Sequence, residues 1–160
     1  MRMMFLIRGL MSSGKSTLGG GLFFLGEEPR NFEADSYFYV DVDGSTMEKK
    51  YKFDPAKLAD AHRDCQMRVE RAMETSDRNV VVSNTFSQRW EMEPYISMAK
   101  KFGWKLMVID LFDAGCDDDT LFERNAHDVP IKSFARMREH YEHAWSGGDP
   151  NPPWERESKE

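Results

Sequence analysis

The sequence predicts an α/β fold with a mainly parallel sheet, and two observations support this prediction. First, short apolar segments of strand length alternate along the chain with segments that repeat at helical spacing, the pattern of strand–helix–strand units. Second, residues 3–7 are apolar throughout and lead almost directly to Gly9, as expected for a parallel strand that is buried on both faces and ends in a loop. Helices should therefore cover both faces of the sheet.

Three further extended segments are predicted at residues 31–34, 79–82 and 105–111, and the last two are rich in Val, Ile and Leu. Between residues 37 and 53, aromatic and β-branched side chains flank Asp43-Gly44. An Asp-Gly pair between such segments favours a two-stranded hairpin. We expect this hairpin to lie over the functional site.

Three helices are predicted between the strands. The clearest covers residues 55–74, with Asp54 as N-cap and Pro55 at the first helical position. Another covers residues 94–103, and the last begins at Pro130. Helical spacing predicts which residues of each helix are buried. They are Leu58, His62, Cys65, Val69 and Ala72 in the first helix, Tyr95, Met98, Ala99 and Phe102 in the second, and Ile131, Phe134, Met137, Tyr141 and Trp145 in the last.

The length of 160 residues favours one domain that can bury its own core without disulfides or a structural metal. We assign that domain to residues 1–145. Residues 146–160 are rich in Pro, Gly and charge and are predicted to be a flexible tail.

Three consecutive glycines at 19–21 fall inside an expected helix. Each glycine in a helix costs about 1 kcal/mol relative to alanine. Close backbone packing is the one explanation that the sequence offers.

The formal net charge of −6 argues against a protein that coats long nucleic acid with cations, so any contact with a strand end should be local. Residues 3–7 are too few to cross a bilayer and do not lead to a cleavage site. Cys65 and Cys116 form neither a disulfide framework nor a metal-ligand pair. These observations predict a cytoplasmic protein with no membrane association.

A phosphate-binding motif follows the first predicted strand. Residues 9–16 match the pattern G-x-x-x-x-G-K-S/T at every defined position, between a buried strand and a helix. Gly9 and Gly14 allow the backbone to direct its N–H groups toward phosphate oxygens. Lys15 should reach the β- and γ-phosphates of a nucleoside triphosphate, and the Ser16 hydroxyl should ligate Mg²⁺. The residues expected to bind ATP here are Gly9, Ser12, Ser13, Gly14, Lys15, Ser16 and Thr17.

A chance glycine-rich turn is the alternative to this motif, and the matched strand and helix around it argue against that alternative. A kinase also needs a base near the acceptor hydroxyl. Asp35 lies at the end of the second predicted strand, and open α/β sheets build their sites at the carboxyl ends of strands. From position alone, Asp35 is either that base or an ordinary turn carboxylate.

Several segments, spread over roughly residues 3–143, resemble the polynucleotide-kinase group of P-loop proteins. Within that group the chain is similar to the kinase domains of animal Nedd-four-binding proteins and, more distantly, to the 5′-hydroxyl kinase domain of T-even phage polynucleotide kinase. The segments that carry the resemblance are Gly9 to Thr17, Ala34-Asp35-Ser36-Tyr37-Phe38, Tyr51-x-Phe53-Asp54, Ala61-His62, Asn84-Thr85, Trp90-Glu91-Met92-x-Pro94-Tyr95, Arg124-Asn125-x-His127-x-Val129-Pro130 and Met137-x-x-x-Tyr141-Glu142.

The resemblance implies a P-loop NTPase three-layer sandwich with the P-loop strand at its centre and a helical lid. It also implies that ATP and Mg²⁺ bind on one side of the site and a polynucleotide 5′ end on the other. Asp35 falls on the family's general base. Arg124 falls in the lid, where a guanidinium can fork two phosphate oxygens; the alternative is a surface arginine paired with Glu123 or Asp128.

The remaining candidates also come from the resemblance. His127, in the lid, is a candidate nucleotide contact, whereas His62 lies on an apolar stripe and is better explained as a core histidine. Asn84 and Thr85 would hydrogen-bond the 5′-terminal sugar or phosphate. Trp90 would stack on a base, although a tryptophan beside Met92 is also explained by packing.

The chain departs from the family on the acceptor side. Phe38 stands where the phage kinase has an arginine, Asn84 where it has a carboxylate, and Ser83 where the animal domains have an aspartate. The lid also lacks a second arginine. These departures leave three hypotheses: a polynucleotide 5′-hydroxyl kinase, a kinase for another hydroxyl such as that of a nucleoside, small metabolite or hydroxymethylated DNA base, and a non-catalytic nucleotide-binding module.

Overall fold

The computed structural model describes residues 1–22, 30–42, 44–125, 127 and 129–156. The strands and helices alternate, as the sequence predicts for an α/β protein. Their order and bounds are β1 (Met3–Arg8), α1 (Lys15–Gly21), β2 (Arg30–Phe32), a 3-10 helix (Ala34–Phe38), β3 (Tyr39–Val42), β4 (Ser45–Tyr51), a 3-10 helix (Pro55–Lys57), α2 (Leu58–Thr75), β5 (Val80–Ser83), α3 (Arg89–Phe102), β6 (Lys105–Asp110), α4 (Asp118–Glu123), α5 (Ile131–Glu139) and two short 3-10 helices (Trp145–Gly147 and Pro153–Glu155).

The main sheet has four strands in the order β2-β5-β1-β6, and every neighbouring pair is parallel. Strand β1 is an interior strand in which Phe5 pairs with Val81 on one side and Met107 on the other. This confirms the α/β class and the interior position of the strand that precedes the P-loop. The carboxyl ends of all four strands meet at one edge of the sheet, where open α/β proteins bind their ligands.

Alternate residues of the sheet face different helices, because successive strand residues point to opposite faces. Met4 and Leu6 are fully buried in the core formed with α2 and α3. Phe5 and Ile7 point the other way and pack with Leu18 of α1. Burying each such side chain stabilises the fold by about 1.5–3 kcal/mol. Helices on both faces make the three layers that the sequence predicts.

The glycine run in α1 has a packing explanation at one of its three positions. A Cβ on Gly19 would lie 3.0 Å from both the Asn31 Nδ2 and the Ser83 Oγ atoms, so only a glycine lets α1 pack this closely on β2 and β5. A Cβ on Gly20 or Gly21 would have no atom of the described residues within 4 Å. Close packing therefore explains Gly19 and leaves Gly20 and Gly21 without a structural reason.

Helix α2 follows the predicted signals. The Asp54 Oδ1 atom accepts a hydrogen bond from the Ala56 N–H at 3.0 Å, and Pro55 opens a 3-10 turn that continues into the helix. Most of the predicted stripe is buried. Leu58 is 42% exposed, because it lies in the first helical turn, beyond the edge of the core.

Helix α3 begins at Arg89, earlier than the predicted start at Pro94. A capping box sets this start: the Gln88 N–H donates to Glu91 Oε2 at 2.8 Å, and the Gln88 side chain accepts from the Glu91 backbone. Pro94 lies inside the helix, where it cannot donate the backbone hydrogen bond to the Trp90 carbonyl. Gly103 ends the helix in a left-handed conformation, as predicted.

The predicted hairpin is formed by β3 and β4, which pair antiparallel with Tyr39 opposite Tyr51. Gly44 in its turn has φ 74°, a value that favours glycine. Asp43, the other residue of the predicted turn, lies outside the described residues.

The last predicted helix is shorter than expected, since α5 ends at Glu139. Phe134 and Tyr141 are buried as predicted, but Tyr141 lies beyond the helix, and Ile131 is 41% exposed. The predicted tail contains the end of one short 3-10 helix (Trp145–Gly147) and a second one (Pro153–Glu155), and its residues 157–160 lie outside the described residues. Within the described part of the chain, no helix is long and apolar enough to cross a membrane.

Candidate active site

The P-loop connects the carboxyl end of β1 to the first turn of α1. Its first two residues are fixed by backbone hydrogen bonds from Gly9 N–H to the Thr85 carbonyl at 3.1 Å and from Leu10 N–H to the Phe112 carbonyl at 2.7 Å. A Cβ on Gly9 would lie 2.7 Å from Ser13 Oγ and 2.9 Å from the Phe112 carbonyl oxygen, so this position requires glycine. The segments that follow the neighbouring strands β5 and β6 therefore hold the start of the loop in place.

Within the part of the chain that the structure describes, the loop presents donors that have no capping or side-chain partner. Gly14 is the N-cap of α1, with φ 91°, and it has no side chain to cap the N–H groups of the first turn. The Ser13 hydroxyl is buried with no hydrogen-bond partner in the described structure. A buried unpaired hydroxyl is costly, and a phosphate oxygen is a suitable acceptor for both kinds of donor. The residues of the loop therefore fit a phosphate group.

Lys15 folds back over this loop. Its ammonium donates to the Gly9 carbonyl at 2.9 Å and to the Leu10 carbonyl at 2.7 Å. Burial lowers the pKa of Lys15 from 10.5 to about 8, and the carboxylates of Asp35 and Glu33 act in the opposite direction. The amine is thus close enough to Asp35 to feel its charge, although the two residues come from different strand ends.

A buried arginine immediately before the P-loop supports this edge of the sheet. Arg8 is 0% exposed and donates to the carbonyl groups of Phe86, Ser87 and Glu142 and to the carboxylate of Asp110 at distances of 2.9–3.1 Å. Five hydrogen bonds satisfy all the donors that a guanidinium offers. The residue was not among the predicted site residues, although a charge at the end of an apolar strand is a visible signal in the sequence.

Tyr141 completes the cluster around Arg8. Its ring lies 4.1 Å from the Arg8 guanidinium carbon, and its hydroxyl donates to Asp110 Oδ1 at 2.6 Å. Burial raises the pKa of Tyr141, and the hydrogen bond to Asp110 raises it further. The hydroxyl therefore stays protonated, and the cluster ties β1, β6 and the segment after α5 together behind the P-loop.

Asp35 lies in the first turn of the 3-10 helix that follows β2. Two contacts hold the start of this helix in place. The Ala34 N–H donates to Asn84 Oδ1 at 2.9 Å, and Arg68 of α2 donates to the Glu33 carbonyl at 2.9 Å. The predicted base is therefore positioned by β5 and α2 as well as by its own strand.

Two side chains predicted to contact an acceptor have supporting roles in the structure. Asn84 is 6% exposed, and its amide is occupied by the Ala34 N–H and by the Cys65 sulfur at 3.9 Å. Phe38 is 2% exposed and packs against the rings of Tyr51 and Phe53. Both side chains are thus engaged within the protein, and their contact with an acceptor stays a prediction.

Two further acceptor-side candidates lie near the end of β5. Thr85 is half-buried and supplies the carbonyl that holds Gly9. Trp90 is half-buried, donates from Nε1 to Gln88 Oε1 at 2.8 Å, and packs edge-on against Trp154 with ring centroids 5.1 Å apart. Their contact with an acceptor stays a prediction.

The lid candidates come from α4 and the segment after it. Asp117 caps α4 by accepting from the Thr120 N–H at 2.9 Å. Arg124 is exposed at the end of this helix, and its Nη1 donates to the Cys116 sulfur at 3.3 Å. Of its two predicted alternative partners, Asp128 lies outside the described residues. Arg124 as a nucleotide contact stays a prediction.

The histidines of the site differ in their surroundings. His127 stacks on Tyr51, and its Nδ1 is buried with no hydrogen-bond partner in the described part of the chain. His62 is half-buried on α2; burial lowers its pKa, and the charge of Asp35 acts in the opposite direction. His62 therefore lies near Asp35, which its place on the apolar stripe did not predict.

This arrangement brings an amine and a carboxylate from separate strands to one edge of a parallel sheet. The phosphate loop follows β1, the carboxylate follows β2, and the end of β5 lies between them. A loop of this kind and a carboxylate at neighbouring strand ends are the parts that phosphoryl transfer uses. The fold and the site together define a P-loop, kinase-like nucleotide-binding domain.

Comparisons with known proteins agree with this class. A family model described as an AAA domain matches residues 4–144, and the chain belongs to that family. It is 32% identical to human NEDD4-binding protein 2 over 145 residues, which cover 86% of this chain. The chain spans only 7% of the length of that relative.

Among solved structures, the chain is similar to shikimate kinase from Acinetobacter baumannii in complex with shikimate. The TM-score is 0.49 at 15% identity, and the match covers 86% of this chain and 74% of the other.

Proposed function

We propose that this protein is an ATP- and Mg²⁺-dependent phosphotransferase that transfers the γ-phosphate to the 5′-hydroxyl of a DNA or RNA strand. The observation that carries this proposal is that the P-loop after β1 and Asp35 after β2 lie at the same edge of the parallel sheet, where the strands end. Consistent with this placement, the charge of Asp35 opposes the lowering of the Lys15 pKa by burial. A general base beside a phosphate-binding lysine is the minimal arrangement for transfer to an alcohol.

In the proposed reaction, Asp35 accepts the proton of the acceptor hydroxyl while the hydroxyl oxygen bonds to the γ-phosphorus. The bond between that phosphorus and the β–γ bridging oxygen breaks, and ADP leaves. Lys15 and the loop amides offset the charge on the phosphate oxygens. Ser16 would hold Mg²⁺ through its hydroxyl, and the bound ion supplies further charge neutralisation.

Arg124 and His127 are proposed to contact the nucleotide from the lid. Arg124 is exposed, and among the described residues its guanidinium donates to the Cys116 sulfur; a phosphate is a stronger partner for it. The unpaired Nδ1 of His127 would gain a partner from a bound nucleotide. Thr85 and Trp90, at the end of β5, are proposed to contact the 5′-terminal nucleotide.

A second candidate function is a kinase for another hydroxyl, such as that of a nucleoside, a small metabolite or a hydroxymethylated DNA base. The surroundings of Asp35 favour it: Tyr37, two residues after Asp35, is 38% exposed, and Phe38 packs inward where the phage kinase has an arginine. Aromatic side chains bind planar rings without needing a charged backbone. A non-catalytic module is disfavoured because Lys15, Ser16 and Asp35 are all present.

The acceptor is identified by incubating the protein with magnesium, labelled ATP and a panel of acceptors. The panel contains oligonucleotides with a 5′-hydroxyl, a 5′-phosphate or a hydroxymethyl-pyrimidine, together with free nucleosides. Label on the 5′-hydroxyl strand alone supports the first function, and label on a nucleoside or modified base supports the second. Absence of label on every acceptor, with ATP still bound, supports the non-catalytic module.

The assigned roles are tested by two substitutions that should separate binding from chemistry. Asp35→Asn should lower kcat by about 10²–10⁴-fold because it removes the base, while ATP binding measured by calorimetry stays unchanged. Lys15→Ala should weaken both ATP binding and transfer. Full activity in Asp35→Asn would remove this residue from the mechanism.

We also propose that the protein acts in the cytoplasm. Both cysteines, Cys65 and Cys116, are free thiols in the structure, as expected in a reducing compartment. Localisation of the tagged full-length protein by fluorescence microscopy tests this proposal.

A further inference from the structure

A stack of two rings connects the lid to the hairpin beside Asp35. The rings of Tyr51, from β4, and His127, from the segment between α4 and α5, lie 4.0 Å apart with an interplanar angle of 29°. Tyr39 packs edge-on against both, at 5.2 Å from Tyr51 and 6.4 Å from His127. The lid segment is thus in direct contact with the acceptor side of the site.

The same tyrosine reaches the proposed base. The Tyr51 hydroxyl donates to Asp35 Oδ1 at 3.4 Å, and among the described residues it is the one side chain with a hydrogen bond to this carboxylate. Burial and the nearby Asp35 carboxylate both raise the pKa of Tyr51. The hydroxyl therefore keeps its proton and acts as a donor throughout the physiological pH range.

His127 is held by its own loop while it makes this contact. Its backbone N–H donates to Asn125 Oδ1 at 3.0 Å, and the Asn125 amide donates to the Val129 carbonyl at 2.9 Å. These two bonds hold the backbone of His127 against Asn125 and tie Asn125 to Val129, while the imidazole itself is held by its stack on Tyr51. A movement of this segment would therefore be passed to the ring of Tyr51 and from its hydroxyl to Asp35.

We propose that Tyr51 is a positioning residue that couples the lid to the orientation of Asp35. The inference rests on the proposed function, since it treats Asp35 as the base. The Tyr51 hydroxyl occupies Oδ1 and leaves Oδ2 for the acceptor, and the stack on His127 makes that orientation depend on the lid. Small errors in the position of a base lower the rate without changing nucleotide affinity.

Removal of the hydroxyl tests the first part of this proposal. Tyr51→Phe keeps the ring and its stack, and we expect kcat to fall by about tenfold with an unchanged KM for ATP. Tyr39→Phe is the matched control, because it removes the hydroxyl of the neighbouring ring and should stay within about twofold of the parent kcat. Equal kcat values in the two variants would overturn the positioning role.

A second measurement tests the link from His127 through Tyr51 to Asp35 without depending on catalysis. The ¹³C resonance of the Asp35 carboxyl carbon, assigned by its loss in Asp35→Asn, should move in Tyr51→Phe and stay in place in Tyr39→Phe. His127→Ala should also move it when Tyr51 is present, and should have no effect in a Tyr51→Leu background. An equal effect of His127→Ala in both backgrounds would show that the coupling does not pass through Tyr51.

The two measurements separate the inference from the proposed function. If the parent protein phosphorylates no acceptor but the carboxyl resonance responds as expected, the link stands and the kinase assignment fails. If transfer occurs but neither the resonance nor kcat responds to Tyr51→Phe, the kinase assignment stands and the link is wrong. Thermal unfolding of each variant shows whether the fold is intact in both cases.

Discussion

The nucleotide side and the acceptor side of this site are built in different ways. The nucleotide side is a continuous loop of the chain, closed by backbone bonds to Thr85 and Phe112 and supported by the fully buried Arg8. The acceptor side is assembled from the 3-10 helix with Asp35, the β3–β4 hairpin and α2, which are separate in sequence. Its aromatic side chains are partly exposed, with Tyr39 at 43%.

This difference indicates where the specificity of such a protein can change. A loop whose donors come from its own backbone depends on glycines and on a few buried contacts, so most substitutions damage it. A surface of exposed rings on a hairpin tolerates substitution, since exposed positions have small effects on stability. We infer that the nucleotide half is fixed by the fold, whereas the acceptor half can adapt to different hydroxyl compounds.

The largest effect that tests this comparison is expected at Arg8. Arg8→Met removes five hydrogen bonds and leaves Asp110, whose side chain is 32% exposed, without its buried cation. We expect the free energy of unfolding to fall by about 3 kcal/mol, measured by urea denaturation. Arg2→Met is the control, because its ion pair with Asp77 is exposed and should contribute at most about 1 kcal/mol.

If Arg8→Met were as stable as Arg2→Met, the nucleotide side would not depend on the buried hydrogen bonds of Arg8. The proposed difference between the two sides of the site would then be wrong. A loss of stability with unchanged ATP affinity would instead show that the loop keeps its shape without Arg8.

The next effect concerns the pH dependence of ATP binding. The pKa of Lys15 is lowered to about 8 by burial, so the amine of the free protein loses its proton as the pH rises through this value. Since phosphate binds the charged amine, binding should take up a proton above pH 8. The affinity should therefore fall by up to about tenfold per pH unit there. Calorimetry in two buffers with different ionisation enthalpies measures both quantities.

Lys15→Arg is the matched control for this pH effect. A guanidinium stays protonated at these pH values, so the variant should bind ATP without proton uptake and with little dependence on pH. Equal pH dependence in the parent and in Lys15→Arg would assign the effect to another group.

The smallest effect comes from the glycines of α1. Gly20→Ala should raise the free energy of unfolding by about 0.5–1 kcal/mol, because its Cβ meets no atom and a helix favours alanine. Gly19→Ala places a Cβ 3.0 Å from Asn31 and Ser83 and should be less stable than Gly20→Ala by about 1–3 kcal/mol. Thermal denaturation compares the two variants.

Equal stability of these variants would mean that α1 can move away from the sheet. The nucleotide side would then tolerate substitutions that we infer it does not.

Much of the fold could be predicted from local patterns. The predicted strand bounds agree with the observed ones to within about two residues, because an apolar run or a capping residue determines the conformation of residues next to it in sequence. Capping by Asp54 and termination at Gly103 were also confirmed. The start of α3 was predicted wrongly at Pro94, because a capping box of Gln88 and Glu91 is a weaker sequence signal than proline.

The part of the site that is formed by one continuous stretch of chain could be predicted, and the part assembled from separate segments could not. The P-loop motif fixed the residues around Lys15, because all of them lie within one turn and one helix end. The direction of side chains on the acceptor side was not predictable. Asn84 and Phe38 point into the protein because their partners, Ala34 and Phe53, come from segments that only the folded chain brings close.

By itself, the sequence determined the α/β class, the interior phosphate-binding strand and the identity of the P-loop, since each depends on spacing along one stretch of chain. Only the tertiary structure decided that Arg8 is buried among carbonyl groups, that Asp35 lies near Lys15, and that Tyr51 joins the base to His127. The physical reason is the sequence separation of the interacting residues. Backbone conformation follows from neighbouring residues, whereas the charge and hydrogen bonding of a site depend on groups that folding brings together from distant positions.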